Sequence, residues 1–154
     1  MSKLKEGDKA PAIDAVDQNG EKITLEEYRG KKVVLYFYPK DNTPGCTAES
    51  CDLRDNYSKF VEQGFEIIGV SADSEKSHTK FKSKYALPFR LISDVDRKVL
   101  QDYGAWGQKN LYGKSYLGII RKTFIINEDG FVEKIIEKVK TKEHSKQIFT
   151  ELSH

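Results

Sequence analysis

The sequence predicts an α/β fold in a single domain, with a central mixed β-sheet flanked by helices and a β-hairpin at the N-terminal end. Its 154 residues suit one domain, and neither a linker nor an internal repeat divides residues 1–154. The segment Lys32–Tyr38 is apolar almost throughout, which is typical of a strand buried on both faces of a sheet. Strand-like and helix-like segments then alternate along the chain, and this order favours parallel pairing in part of the sheet.

The first predicted elements are two short strands, Ile13–Val16 and Glu21–Thr24, joined through the turn dipeptide Asn19-Gly20. Leu25–Tyr28 fits one helical turn before the first central strand. The N-terminal part of the chain is therefore expected to form a small hairpin beside the main sheet.

A loop over residues 40–45 follows the first central strand, and the apolar spacing after it predicts one helix that continues to Gly64. A second central strand is predicted at Phe65–Ser71, and a helix at Ser74–Tyr85 with Asp73 or Ser74 as its cap. The remaining predictions are a short strand, a short helix, two paired strands and a terminal helix: Leu91–Ile92, Arg97–Tyr103, Lys122–Asn127, Phe131–Glu137 and Lys142–Leu152. The two paired strands supply an antiparallel edge.

Composition narrows the classes of partner. The 26 Lys and Arg residues nearly balance the 24 Asp and Glu residues, and no basic block is present, which argues against a nucleic-acid partner. No apolar run of signal-peptide length opens the chain, and the longest apolar stretch, Val33 to Tyr38, is far shorter than the ~20 residues that cross a bilayer. We therefore expect a soluble, cytoplasmic protein without a membrane partner.

The chain has only two cysteines, Cys46 and Cys51. A close pair in a reducing compartment is more often catalytic, redox-sensing or metal-binding than structural, although two inert core cysteines are the alternative. Pro39 and Pro44 restrict the loop before Cys46, and Gly45 leaves the approach to its sulfur open. If the helix begins near Pro44, Cys46 lies in the first turn, where unpaired N–H groups and the helix dipole stabilise a thiolate.

The spacing of the two cysteines also carries information. It is not the CxxC pattern of dithiol reductases. Residues five apart in an α-helix are about 140° apart around the axis and about 7.5 Å apart along it. A disulfide needs Cα atoms within roughly 7 Å and facing Cβ atoms, so at least one turn must unwind before Cys46 and Cys51 can bond. The alternative for Cys51 is a helix-face cysteine that only packs.

Pro39, Thr43 and Cys46 form the pattern Pro-x-x-x-Thr-x-x-Cys, and in this the chain resembles the peroxiredoxins. The spacing from Cys46 to Cys51 resembles the Q-type branch, also called bacterioferritin comigratory proteins. The resemblance extends over roughly residues 4–150 and includes three longer segments, Gly7–Pro11, Asn42–Ser50 and Gly118–Asn127.

This resemblance implies a thioredoxin-like fold and a thiol-specific peroxidase that reduces hydrogen peroxide and organic hydroperoxides to water and alcohols. Cys46 would be oxidised to a sulfenic acid and Cys51 would resolve it as an intramolecular disulfide after local helix unwinding. Thioredoxin or a similar dithiol would then reduce the disulfide. No metal or organic cofactor is implied, and a monomer is expected because both cysteines belong to one chain.

The resemblance also implies roles for neighbouring residues. Thr43 would place its hydroxyl on the sulfur and the peroxide, Pro39 would shield the site from water, and Arg121 would hold both thiolate and peroxide. Glu49 would orient the arginine. The competing interpretations are a solvated edge-strand charge for Arg121 and a first-turn glutamate favoured by the helix dipole for Glu49.

Some alternatives remain open at the level of sequence. The same cysteines would serve a non-enzymatic redox switch, and a structural domain with incidental cysteines is a further alternative. Trp106, with Tyr103 and Tyr112 nearby, is a candidate to line the approach to the site, but a lone tryptophan is more often part of a core. The histidines have no partners at ligand spacing, so no metal site is expected: His78, His144 and His154.

Overall fold

The computed structural model describes residues 4–153, and nine strands and five α-helices lie within that range. The strands are β1 (Asp14–Val16), β2 (Lys22–Thr24), β3 (Lys32–Phe37), β4 (Phe65–Ser71), β5 (Arg90–Ser93), β6 (Trp106–Leu111), β7 (Lys114–Ile119), β8 (Lys122–Ile126) and β9 (Val132–Ile136). The helices are α1 (Pro44–Asp55), α2 (Tyr57–Glu62), α3 (Glu75–Lys84), α4 (Lys98–Asp102) and α5 (His144–Leu152), with 3₁₀ turns at Leu25–Tyr28 and Thr141–Glu143. Residues 1–3 of the expected domain, and His154, lie outside the described residues.

Five strands form the central sheet in the order β5-β4-β3-β8-β9. The pairs β3/β4 and β4/β5 are parallel, whereas β3/β8 and β8/β9 are antiparallel. The predicted mixed sheet with an antiparallel edge is therefore confirmed. The predicted N-terminal hairpin is confirmed too, as the separate antiparallel pair β1/β2.

Strand β3 divides the core into two parts because alternate side chains of a strand point to opposite faces. Val33, Leu35 and Phe37 belong to one buried cluster, which also includes the inner residues of β2 and α4 and against which Ala15 of β1 packs. Val34 and Tyr36 belong to the second cluster, which contains Cys46 and the inner residues of α1, α2, α3 and α5. Cys46 therefore packs on the same face of the sheet as the inner residues of these helices.

The predicted helix up to Gly64 is interrupted, and this prediction was wrong in its continuity. α1 ends at Asp55 and α2 begins at Tyr57, with Asn56 between them at φ −110° and ψ 9°. The Asn56 side-chain amide donates to the carbonyl of Asp52 at 2.8 Å, so it competes for a helix acceptor. The apolar spacing continues across the break and therefore did not reveal it.

The hairpin β6/β7 was not predicted. It turns through Tyr112 and Gly113, both at positive φ (52° and 77°), as a two-residue hairpin turn of type I′ requires. Residues 112–117 are all exposed, so this part of the hairpin lacks the apolar alternation by which half-buried strands are recognised. No helix within residues 4–153 is long and apolar enough to cross a membrane.

Candidate active site

Cys46 lies in the first turn of α1, as the sequence predicts. The helix begins at Pro44 with Thr43 as its N-cap residue, so Cys46 is the third helical residue. Its side chain is 1% exposed and packs in the second core cluster. The first four N–H groups of a helix lack intrahelical acceptors, and they place partial positive charge beside the buried sulfur.

Arg121 completes the environment of the sulfur. It lies in the two-residue connection between β7 and β8, and its Nη2 atom donates to Sγ of Cys46 at 3.3 Å. Its Nη1 atom donates to Oε1 of Glu49 at 2.5 Å. Burial acts to lower the pKa of Arg121, but Glu49 and Cys46 outweigh it and raise that pKa, so the guanidinium stays charged. With a side chain 23% exposed, Arg121 is not a solvated edge charge.

Glu49 is a fully buried carboxyl and not a first-turn helix glutamate. It lies on the second turn of α1, and its side chain is 0% exposed. Burial raises the pKa of Glu49 from 4.5 to about 7, against the opposing effect of Arg121, and Asp52 raises it further. Its second oxygen, Oε2, has no hydrogen-bond partner among the described residues and lies 3.5 Å from Nε2 of His144.

The residues before Cys46 are held close to Arg121. A Cβ atom added to Gly45 would lie 3.3 Å from Nη2 of Arg121, so the glycine leaves room for the guanidinium. The hydroxyl of Thr43 donates to the carbonyl of Lys40 at 2.9 Å, and it must turn to donate to sulfur or peroxide. Pro39 is half-buried just after the strand that leads into this loop.

Cys51 is half-buried in the same helix as Cys46, and both thiols are free. α1 is continuous over both positions, so the helix and the absent bond agree with the geometric expectation for the reduced protein. Beside Cys51, the hydroxyls of Ser50 and Tyr36 form a buried hydrogen bond of 2.8 Å. Gly69 permits this position of Tyr36, because a Cβ there would lie 2.9 Å from the tyrosine hydroxyl.

A buried polar cluster anchors the loop that carries the site. Asp41 accepts hydrogen bonds from Tyr38 at 2.7 Å and from Ser77 at 2.8 Å, and its Oδ2 lies 2.7 Å from Nδ1 of His78. Its backbone N–H donates to Asp73 at 2.8 Å. Potential ligand atoms of Asp41, Asp73 and His78 lie within 4.8 Å of one another, but each also has a protein hydrogen-bond partner.

Sequence reasoning missed this cluster and His144, because their partners are distant along the chain: His78 is 37 residues from Asp41 and His144 is 21 from Thr123. No local spacing signals such contacts. The structure also separates the three aromatic candidates. Tyr103 is buried and donates to the carbonyl of Pro11, whereas Tyr112 is 95% exposed.

Trp106, the third aromatic candidate, lies against Arg97 and the core. Its ring packs against the first core cluster, and the guanidinium carbon of Arg97 lies 4.7 Å from its centroid. Trp106 therefore has the packing of a half-buried core residue.

The arrangement suits attack by a thiolate on an electrophile. The helix N-terminus and Arg121 stabilise negative charge on the sulfur, and an arginine with several fixed donors also stabilises charge that develops on a departing oxygen. Cys51 provides a second thiol in the same helix.

The sequence is similar to those of known peroxiredoxins. Residues 6–135 match the model of the AhpC/TSA family. A peroxiredoxin Bcp of Bacillus subtilis (strain 168) is 48% identical over 138 residues, which cover 90% of this chain and 88% of that protein. The peroxiredoxin Bcp of Escherichia coli K12 is 42% identical over 144 residues, which cover 94% of this chain and 92% of that protein.

Solved structures agree in fold. A peroxiredoxin Q structure from Xanthomonas campestris superposes with a TM-score of 0.85 and 38% identity, covering 92% of this chain and 89% of that one. A PrxQ mutant from Xylella fastidiosa superposes with a TM-score of 0.91 and 30% identity, and the match covers 99% of this chain and 98% of that one.

Proposed function

The chain belongs to the AhpC/TSA family as a Q-type, or Bcp, peroxiredoxin and is a thiol peroxidase, and from this premise we propose that Cys46 is the residue that peroxides oxidise. The observation that carries the proposal is the hydrogen bond of 3.3 Å from Arg121 to the sulfur of Cys46 in the first turn of α1. Arg121 there stabilises a thiolate before the reaction and the departing oxygen during it.

The proposed first step is attack of the Cys46 thiolate on the terminal oxygen of a hydroperoxide. The S–O bond forms as the O–O bond breaks, and the departing oxygen leaves with its electron pair and takes up a proton as water or alcohol. The sulfur becomes a sulfenic acid. Thr43 turns its hydroxyl toward the reacting oxygens, Pro39 shields them from water and Gly45 leaves space for Arg121.

In the proposed second step α1 unwinds locally and Cys51 attacks the sulfenic acid, releasing water and forming an intramolecular disulfide. Thioredoxin or a similar dithiol reduces this disulfide by exchange. The cycle uses side chains of a single chain, and we propose that it operates in a cytoplasmic monomer on hydrogen peroxide and organic hydroperoxides.

The test is hydrogen peroxide consumption with thioredoxin, thioredoxin reductase and NADPH, for wild type, Cys46→Ser and Cys51→Ser. We expect rapid turnover by wild type and none by Cys46→Ser. Cys51→Ser should fail with thioredoxin but turn over with a small dithiol, because its sulfenic acid stays accessible to that reductant. Wild-type turnover no faster than that of Cys46→Ser would overturn the assignment and favour a slow redox switch.

A further inference from the structure

The hydrogen bonds around His144 define which of its nitrogens carries the proton. Gln147 Oε1 accepts the backbone N–H of Lys140 at 3.0 Å, and its Nε2 donates to the carbonyl of Lys138 at 2.8 Å, so the amide orientation is fixed. Nδ1 of His144 lies 3.0 Å from the same Oε1 and must donate to it. Burial lowers the pKa of His144 from 6.5 to about 4, so Nε2 bears a lone pair at neutral pH.

Glu49 lies beside that nitrogen. The Thr123 hydroxyl, 2.7 Å from Nε2 of His144, donates to its lone pair, and Oε2 of Glu49 lies 3.5 Å from the same nitrogen. An ionised Oε2 would be a buried acceptor opposite another acceptor, with no donor among the described residues. In the neutral acid, this oxygen carries no charge that a donor would have to balance. The contact therefore favours the neutral carboxylic acid.

The balance of charges at the site also favours the neutral form of Glu49. Arg121 supplies one positive charge and contacts two groups that can each be negative, Cys46 and Glu49. A buried site balances one such charge far more readily than two. The other titratable groups near Glu49 are Asp52 on the same helix and Tyr36 on β3, and burial raises the pKa of Tyr36 well above its usual value, which keeps it neutral.

We propose that Glu49, with Oε2 facing His144, is protonated while Cys46 is a thiolate and gives up that proton when the sulfur is oxidised. The proposal rests on the proposed role of Cys46. The net step is thiolate plus hydroperoxide plus neutral Glu49, giving sulfenic acid, alcohol and ionised Glu49. Two electrons pass from sulfur to the O–O bond, and the proton lost by Glu49 balances the one that the departing oxygen takes up.

His144 is a positioning residue in this proposal, since it touches neither sulfur nor peroxide. It disfavours the ionised form of Glu49 and so leaves the charge of Arg121 to the sulfur. After oxidation the sulfur is neutral, and Arg121 is free to stabilise the Glu49 carboxylate. The single negative charge of the site thus passes from one partner of Arg121 to the other.

Infrared difference spectroscopy of the reduced protein near neutral pH tests this directly. We expect a carbonyl band of a protonated carboxyl that disappears when iodoacetamide converts Cys46 to a neutral thioether. Glu49→Gln should lack the band from the start, and so should Cys46→Ser, whose hydroxyl carries no charge. A reduced wild-type spectrum without a band that Glu49→Gln removes would overturn the proposal. Peroxide turnover is not needed for this measurement, so its outcome is separate from that of the activity assay.

The role of His144 is tested by thiolate absorbance, measured as the difference between each protein and its Cys46→Ser counterpart. His144→Leu removes the electronegative nitrogen that opposes an ionised Oε2, so it should weaken the infrared band and move the thiolate titration midpoint upward by about 0.5 to 1 pH unit. The same substitution in Glu49→Gln should leave the midpoint unchanged. Equal displacement in both backgrounds, or none in wild type, would contradict the role assigned to His144.

Discussion

The backbone N–H of Ser145 donates to Oδ2 of Asp52 at 2.6 Å, and this contact connects the start of α5 to the residue that follows Cys51. The Ser145 hydroxyl also donates to the Asp52 carbonyl at 3.2 Å. Asp52 therefore caps a helix 93 residues away in the chain. The geometry of α1 implies that a disulfide between Cys46 and Cys51 requires this helix to unwind, and we expect unwinding that passes Cys51 to break this connection.

Asp52→Ala should lower the free energy of unfolding of the reduced protein by about 1 to 2 kcal/mol, because a helix cap is lost. It should also speed disulfide formation after one equivalent of peroxide, because less structure resists unwinding. Urea unfolding and thiol quenching measure the two effects. The matched control is Asp55→Ala in the same helix, whose carboxylate pairs with Arg54 at an exposed site and should change little. Lower stability without faster disulfide formation would contradict the link to α1.

Gly45→Ala should separate stability from activity. Alanine in a helix is favoured over glycine by up to about 1 kcal/mol, so the free energy of unfolding should stay equal or rise. The new methyl group would lie 3.3 Å from Nη2 of Arg121 and displace it from the sulfur. We expect the rate of Cys46 oxidation to fall about tenfold, measured by stopped-flow competition with a reference peroxidase. An unchanged rate would show that Arg121 accommodates the methyl group without loss.

Arg121→Lys should reduce the rate of Cys46 oxidation by a factor of about 10² to 10³, because a single ammonium group cannot bind Cys46 and Glu49 in the fixed fork of a guanidinium. The control is Arg29→Lys, where the arginine donates to the exposed carbonyl of Asp129. Full activity in Arg121→Lys would mean that charge alone, without the two directed hydrogen bonds, supports the reaction.

The pH dependence of stability should contain two opposing contributions. Glu49 has a pKa of about 7 against 4.5 when unfolded, so the native state binds more protons and stability falls as pH rises through that window. His144 has a pKa of about 4 against 6.5, so the native state binds fewer protons and stability rises as pH increases through its window. The two nearly cancel where the windows overlap.

Single substitutions should reveal each contribution. Glu49→Gln leaves the rise due to His144, on the order of 2 to 3 kcal/mol. His144→Leu leaves a smaller fall due to Glu49, because the loss of His144 itself favours the ionised carboxylate. Urea unfolding across this pH range measures both slopes. Slopes of the same sign in the two variants would show that the assignment of protons to these residues is wrong.

The sequence predicts most of the fold because the buried strands are marked locally. The apolar run that became β3 and the turn dipeptide at Asn19-Gly20 each contain their signal within a few residues. The exposed hairpin β6/β7 carries no such signal over residues 112–117, and the break at Asn56 is produced by one side-chain amide within continuous apolar spacing. Elements that do not bury an apolar face are the ones that sequence periodicity does not detect.

The candidate site likewise contains residues that a local sequence pattern indicates and residues that it does not. Thr43 and Cys46 share a short pattern with a local cause, namely the start of a helix. Arg121 lies 75 residues from Cys46, and only the resemblance to a family pointed to it. His144 had no local signal, because its contacts to Glu49 and Thr123 arise from the packing of α5 against α1 and β8.

The separation of α1 from α2 at Asn56 has a consequence for the energetics of the proposed disulfide. The helix that carries both cysteines ends before residue 56, so we expect unwinding that begins at the cysteines to be limited to α1 and its contacts. The free energy of refolding that helix is recovered when the disulfide is reduced. Because about 1.4 kcal/mol corresponds to about 30 mV in a two-electron couple, a more stable α1 makes the Cys46–Cys51 pair a stronger oxidant of its dithiol reductant. The reduction potential is therefore expected to follow the stability of one short helix.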